Sequence, residues 1–144
     1  MTKHSVFVFR AIVFLALLFV MDLVLGSVLH KLYFINDNKF SYGILETEAE
    51  VIIVGSSRAE HHYIPSVLTD SLGLSCFNMG SGGQNIYYQY GVVKSMLDRY
   101  TPKIVLLDVI PIDYCITGDS HNTEKLAVLL PFYEDVPGVR DVIE

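Results

Sequence analysis

Cysteine is scarce: Cys76 and Cys115 are the two in 144 residues. Two are too few for a disulfide framework. Cys76 lies in the apolar run "LSCFNMG", which suits a buried thiol. Outside the cytoplasm a Cys76–Cys115 bridge is open to the chain, and nothing in the sequence demands it. Basic residues are scarce as well. Beyond residue 30 there are 8 Lys+Arg against 15 Asp+Glu, a net charge of −7. That balance, with no basic stripe, argues against nucleic acid as a partner and against adhesion to anionic lipid. No pair of His, Cys or carboxylates has metal-ligand spacing, so no metal or other cofactor is expected. "GSGGQN" does not fit G-x-G-x-x-G, which weakens Rossmann-type nucleotide binding. No repeat or low-complexity tract occurs.

Apolar residues, in contrast, are abundant: they make up 51% of the chain, and its mean hydropathy is +0.41. The excess sits at the N-terminus. Residues 11–30, "AIVFLALLFVMDLVLGSVLH", include 16 apolar residues in 20. A hydrocarbon core needs about 20 such residues in a helix. Asp22 in the middle costs roughly 2.5–3.5 kcal/mol on insertion scales, and the surrounding Leu, Val and Phe offset it. Lys3, His4 and Arg10 flank the N-terminal side, so the positive-inside rule places the N-terminus in the cytoplasm. The domain then lies on the extracytoplasmic side of the membrane. The competing reading is a cleaved signal peptide. The apolar core is longer than a typical signal core, and no clean A-x-A site follows it.

Residues 31–49 read as a polar, aperiodic linker, and the pattern changes at Glu50. "VIIV" at 51–54 is short and continuous, as in a strand buried on both faces. Ile64, Val67, Leu68 and Leu72 recur at helical spacing, between Pro65 as a first turn and Gly73 as a stop. "LSCFNMG" reads as a second strand and "SGGQN" as a loop. Ile86, Tyr90, Val93, Leu97 and Tyr100 mark an amphipathic helix, and "KIVLLDVIP" a third buried strand. The order β-α-β-α-β implies a parallel sheet with helices packed on it. "NTEKLAVLLPFY" suggests a short helix stopped near Pro131, and "VPGVRDVIE" begins another. Three strands and a fresh helix are little for a doubly wound domain, so residues 50–144 read as a truncated one.

Sites in open parallel sheets form outside the carboxyl ends of the strands. Here those ends carry "GSSR" and "NMGSGGQN". A glycine before a serine turns the backbone sharply and leaves the hydroxyl exposed. Loop N–H groups and an asparagine amide are the parts of an oxyanion hole.

"VIIVGSSRAEHH", "FNMGSGGQN" and "PKIVLLDV" together resemble the first half of an SGNH (GDSL-like) hydrolase, over roughly residues 50–115. The nearest likeness is to the membrane-anchored bacterial subgroup that transfers or removes acyl groups on cell-surface glycans. The resemblance implies a flavodoxin-like three-layer α/β sandwich. It implies Ser57 as nucleophile, with Ser56 where Asp often stands, and Gly80 as an oxyanion-hole N–H. The family's Gly-x-Asn-Asp block is replaced by "LLDVIPIDY", and Asn85 stands in as the candidate amide. None of the five histidines has an Asp three residues before it, so the family's Asp-x-x-His base is expected to lie beyond this chain. Arg58 is the candidate substrate clamp, and a structural ion pair is its alternative. Ser57 has an alternative role as a helix N-cap. His61 and His62 read as exposed helix-start residues. Gly118–Ser120, with His121 after it, spells "GDS" but follows no buried strand and reads as a surface turn. Asp108 and Asp113 follow the third strand, either facing the site or as ordinary loop acids. The expected activity is an esterase or acyltransferase acting on an acyl ester of a glycan. The rival is a non-catalytic binding or scaffold module holding a phosphate or glycan carboxylate with Arg58.

Overall fold

The structure, a computed structural model, describes residues 3–35, 38–111 and 124–144. It divides into two units, Met1–Asp37 and Asn38–Glu144. The first is one helix, α1, over Lys3–Ile35. A window within Ser5–Phe34 reaches a mean hydropathy of 2.7, and none of it is buried. At 1.5 Å per residue α1 is about 50 Å long, enough to cross a membrane. A signal sequence near the N-terminus passes the same test of length and composition.

The second unit is built on a parallel sheet of three strands in the order β2-β1-β3. β1 (Val51–Gly55) is central and fully buried, with Ile52, Ile53 and Val54 at 0% exposure. A continuous aliphatic run is what a strand covered on both faces requires. β2 (Cys76–Asn78) pairs with it from Val51↔Cys76 to Ile53↔Asn78. β3 (Ile104–Asp108) pairs from Val51↔Ile104 to Gly55↔Asp108. The chain is thus α/β with a small parallel sheet, as its pattern implied.

The connections follow from local chemistry. Residues 39–46, part of the expected linker, are helical: α2 (Lys39–Ser41) runs into a π-helical turn, Tyr42–Glu46. Asn38 Oδ1 opens α2 by accepting from the Phe40 N–H at 2.8 Å. Ile44 is only 1% exposed, and the Arg99 guanidinium donates to the carbonyls of Ile44, Glu46 and Thr47. This segment therefore belongs to the core. α3 (Ser57–His62) and α4 (Pro65–Leu72) follow β1. Pro65 opens α4, and Gly73 closes it in the left-handed region at φ 67°. α5 (Ile86–Leu97) precedes β3. A 3-10 helix, Lys125–Phe132, and α6 (Pro137–Ile143) pack on α5. The 3-10 helix runs through Pro131 and ends one residue after it.

Two expectations change. The first concerns α5. Its buried side holds Tyr88, Val92, Ser95 and Met96, whereas Tyr90 and Leu97 of the expected stripe are 58% and 50% exposed. The helix carries apolar residues on both sides, and α6 and the 3-10 helix lie against Gly91 and Ser95, away from the exposed stripe. The second concerns β3, expected to be buried. Ile104, Val105 and Leu107 are 45%, 39% and 47% exposed, and β3 is an edge strand among the described residues. Ile104 N–H donates to the Glu50 carbonyl at 3.0 Å. In a parallel ladder the backbone groups of Val105 and Leu107 then face the open edge. Their side chains join Ile86, Tyr90 and Val93 in an apolar cleft of about 420 Å³.

Candidate functional site

β1 ends at Gly55, whose φ of 158° disfavours any side chain. A Cβ there would lie 2.6 Å from Ala59 Cβ and 2.8 Å from the Asp108 carbonyl oxygen. The chain can therefore turn into α3 directly beneath the strand end. Ser56 takes the N-cap position without a side-chain cap bond and is buried. Ser57 is the first helical residue and is exposed. The hydroxyl expected at the N-cap is thus Ser56 rather than Ser57. Among the described residues, nothing hydrogen-bonds the Ser57 hydroxyl.

β2 ends at Asn78, and this side chain organises the second loop. Its Nδ2 donates to the carbonyls of Ala59 at 2.8 Å and Tyr63 at 2.9 Å. Its Oδ1 accepts from the Gly80 N–H at 2.7 Å. Asn78 is 8% exposed, so each bond is made away from water, where an unpaired amide costs most. Gly80 is pressed against α3: a Cβ would meet Glu60 N at 2.6 Å and Ala59 Cβ at 2.7 Å. Its carbonyl accepts from Lys39 Nζ. Burial pushes the Lys39 ammonium below its usual value, and Glu60 opposes that shift.

Gly82 lies against the serine. The position a Cβ would take on Gly82 is 3.8 Å from Ser57 Cβ and 3.1 Å from Glu60 Oε2. The Gly82 N–H donates to Glu60 Oε2 at 2.7 Å. Ser57 and Glu60 are three residues apart on α3 and so share a helix face. β1 and β2 are neighbours, so Ser57 and the Gly80–Gly82 loop stand side by side beyond their carboxyl ends. Asn85 opens α5, its Oδ1 accepting from the N–H groups of Tyr87 at 3.2 Å and Tyr88 at 3.4 Å.

Arg58 turns the other way. Its Nε donates to Asp108 Oδ1 at 2.9 Å and Oδ2 at 2.8 Å, and its Nη2 donates to Oδ1 and to the Val109 carbonyl. The Asp108 side chain is 4% exposed. The Arg58 hydrogen bonds hold its carboxyl below the usual carboxylate range, against the opposing effect of burial. This pair ties the start of α3 to the end of β3, the structural alternative for Arg58. His61 and His62 are the last residues of α3, not its first, and both are exposed. His62 Nδ1 lies 3.2 Å from the Arg58 carbonyl oxygen. Cys76 is half-buried, its thiol 3.4 Å from the Leu74 carbonyl oxygen. Among the described residues no group of three His, Cys, Asp or Glu is placed to hold a metal. Asp113, Cys115, Gly118–Ser120 and His121 lie outside the described residues.

Sequence reasoning missed Asn78, Glu60 and Lys39. The "Asn-x-Gly" spacing was the available signal for Asn78. Glu60 sits one turn after Ser57, but only the tertiary placement of Gly82 gives it a role. The chain matches no protein-family model, no curated protein and no solved structure.

Proposed function

We propose that residues 38–144 form an SGNH-like acyl-ester site of flavodoxin-like type, carried outside the cytoplasm on α1 as a membrane anchor. Ser57 Oγ attacks the ester carbonyl of an acylated cell-surface glycan, and the glycan alcohol leaves. The acyl group then passes to water or to an acceptor hydroxyl. A base must take the Ser57 proton, because a serine hydroxyl is a weak nucleophile at neutral pH. None of the described histidines bonds to Ser57. The observation that supports the reading is the exposed Ser57 directly after a buried parallel strand, with Gly82 of the neighbouring loop against it.

One finding favours the second reading, a non-catalytic binding or scaffold module. The Gly80 and Gly82 N–H groups are both engaged, by Asn78 and Glu60, and Arg58 is engaged by Asp108. Under the enzymatic reading, Glu60 swings off the Gly82 N–H when an oxyanion takes its place.

A fluorophosphonate probe on the full chain separates the two. The enzymatic reading expects a slow, single adduct on Ser57, abolished by Ser57→Ala, since an oxyanion site without its base keeps a residual rate. No adduct, or adducts spread over surface serines, leaves the binding reading standing.

A further inference from the structure

We propose that the Asp22 face of α1 docks a second transmembrane helix bearing a lysine or arginine near mid-membrane depth. The inference rests on α1 being an uncleaved membrane span.

Asp22 is 12 residues after Arg10 and 9 before Lys31. At 1.5 Å per residue it lies about 18 Å along the helix from Arg10 and about 13 Å from Lys31. A hydrocarbon core of about 30 Å bounded by those two cations holds Asp22 near its centre. The aspartate side chain is short and cannot snorkel that far, unlike lysine or arginine. Its own helix offers no relief. The residues one turn away, Leu18, Phe19, Leu25 and Gly26, carry no side-chain donor. Ser27, the nearest hydroxyl, donates to the Leu23 carbonyl at 2.8 Å. Intramembrane carboxylates are rare and pair with groups on neighbouring helices.

The same face admits a close neighbour. Gly26 is four residues after Asp22 and shares its side of the helix. A Cβ added at Gly26 would meet nothing within 4 Å. Small residues let helix backbones approach in lipid, where packing and polar contacts drive association. Charge selects the occupant. A cationic side chain complements Asp22, whereas a second copy of α1 in parallel would set Asp22 against Asp22.

The test uses the labelled full chain in phosphatidylcholine vesicles. Its energy transfer is measured to oligoleucine transmembrane peptides with a central lysine, glutamate or leucine. The lysine peptide is expected to associate about fivefold or more tightly than the leucine peptide. The glutamate peptide should gain nothing. Asp22→Leu should erase the preference, and Asp22→Glu should keep it. Equal association of all peptides overturns the proposal, as does a preference that survives Asp22→Leu or Asp22-dependent pairing between copies of the chain. Flotation with the vesicles is read separately. A chain that does not float overturns the membrane reading and this proposal with it. A chain that floats but ignores the lysine overturns this proposal alone.

Discussion

Gly80 and Gly82 are two residues apart and differ sharply in what surrounds them. A Cβ at Gly80 runs into backbone and a buried methyl, at 2.6 Å from Glu60 N and 2.7 Å from Ala59 Cβ, so α3 or the loop must shift. Gly80→Ala is expected to lower stability by roughly 1–3 kcal/mol, the range for overpacking. A Cβ at Gly82 meets only the end of the Glu60 side chain, at 3.1 Å, and Ser57 Cβ at 3.8 Å. Gly82→Ala should leave the melting temperature nearly unchanged and slow Ser57 labelling instead. Equal melting temperatures for the two variants would count against this packing. The Arg58–Asp108 pair gives a pH signature. An unfolded Asp titrates near 3.9, and folded Asp108 titrates lower because Arg58 hydrogen-bonds its carboxylate. Its contribution is therefore fully present above the unfolded value. It is lost as pH falls through the unfolded and then the folded value. Arg58→Ala should cost roughly 1–3 kcal/mol at pH 7 and progressively less in acid. A deficit that stays constant down to pH 2 would show that the pair is not what Arg58 contributes. The serine at the strand end was legible because apolar run, glycine and hydroxyl are contiguous. The partner of Gly82 was not, since Glu60 reaches it from another element, whereas Asn78 stands only two residues before Gly80 and its role rests on its bonds to Ala59 and Tyr63.

Among the elements, β1 and α4 were the easiest to read. A strand buried on both faces shows as an unbroken aliphatic run, and Pro65 and Gly73 punctuate α4 by their own backbone preferences. α5 misled, because its sequence offers two apolar stripes. Ile86, Tyr90, Val93 and Leu97 make the cleaner period, yet the buried side is Tyr88, Val92, Ser95 and Met96, and α6 and the 3-10 helix pack where Gly91 and Ser95 leave room. That side is mixed in polarity because its groups find partners within it. Tyr88 donates to the Met79 carbonyl at 2.9 Å and Ser95 to the Gly91 carbonyl at 2.6 Å. Gln89 is the exception. It is 1% exposed, and neither its Nε2 nor its Oε1 has a hydrogen-bond partner among the described residues. A buried unpaired amide costs about 1–3 kcal/mol, and methionine has nearly the same shape. Gln89→Met should therefore raise the melting temperature. A fall would mean that the amide is satisfied in solution, by water or by a ligand in the adjoining cleft. β3 misled for another reason: an aliphatic run reports what a strand can be buried by, not what covers it. Among the described residues no strand pairs with the outer edge of β3.

At the scale of the whole molecule, the proposed anchor raises a question of orientation. α1 is long and apolar enough to span, so as an uncleaved span its flanks decide its orientation. Lys3 and Arg10 lie on the N-terminal side, and Lys31 and Lys39 follow the apolar run. The charge bias is therefore shallow. Acidic residues contribute little to orientation, so the −7 charge beyond residue 30 does not settle it. One further feature tips the balance. Lys3 and Arg10 sit within the short stretch before the apolar run, where the rule acts most strongly. The expected orientation is N-terminus inside, with residues 38–144 outside. External protease on intact spheroplasts should digest that unit, and opening the membrane should add nothing. A shallow bias also makes the orientation sensitive. Lys3→Gln with Arg10→Gln leaves Lys31 and Lys39 unopposed and should leave a protease-protected fraction of the chain. Lys31→Gln should have no such effect, because it deepens the bias already present. Full protection of the wild-type unit would reverse the orientation and remove the glycan surface from reach of Ser57. Complete digestion of the double variant would show instead that the length and folding of the translocated unit, rather than the flanking charges, hold the chain in place.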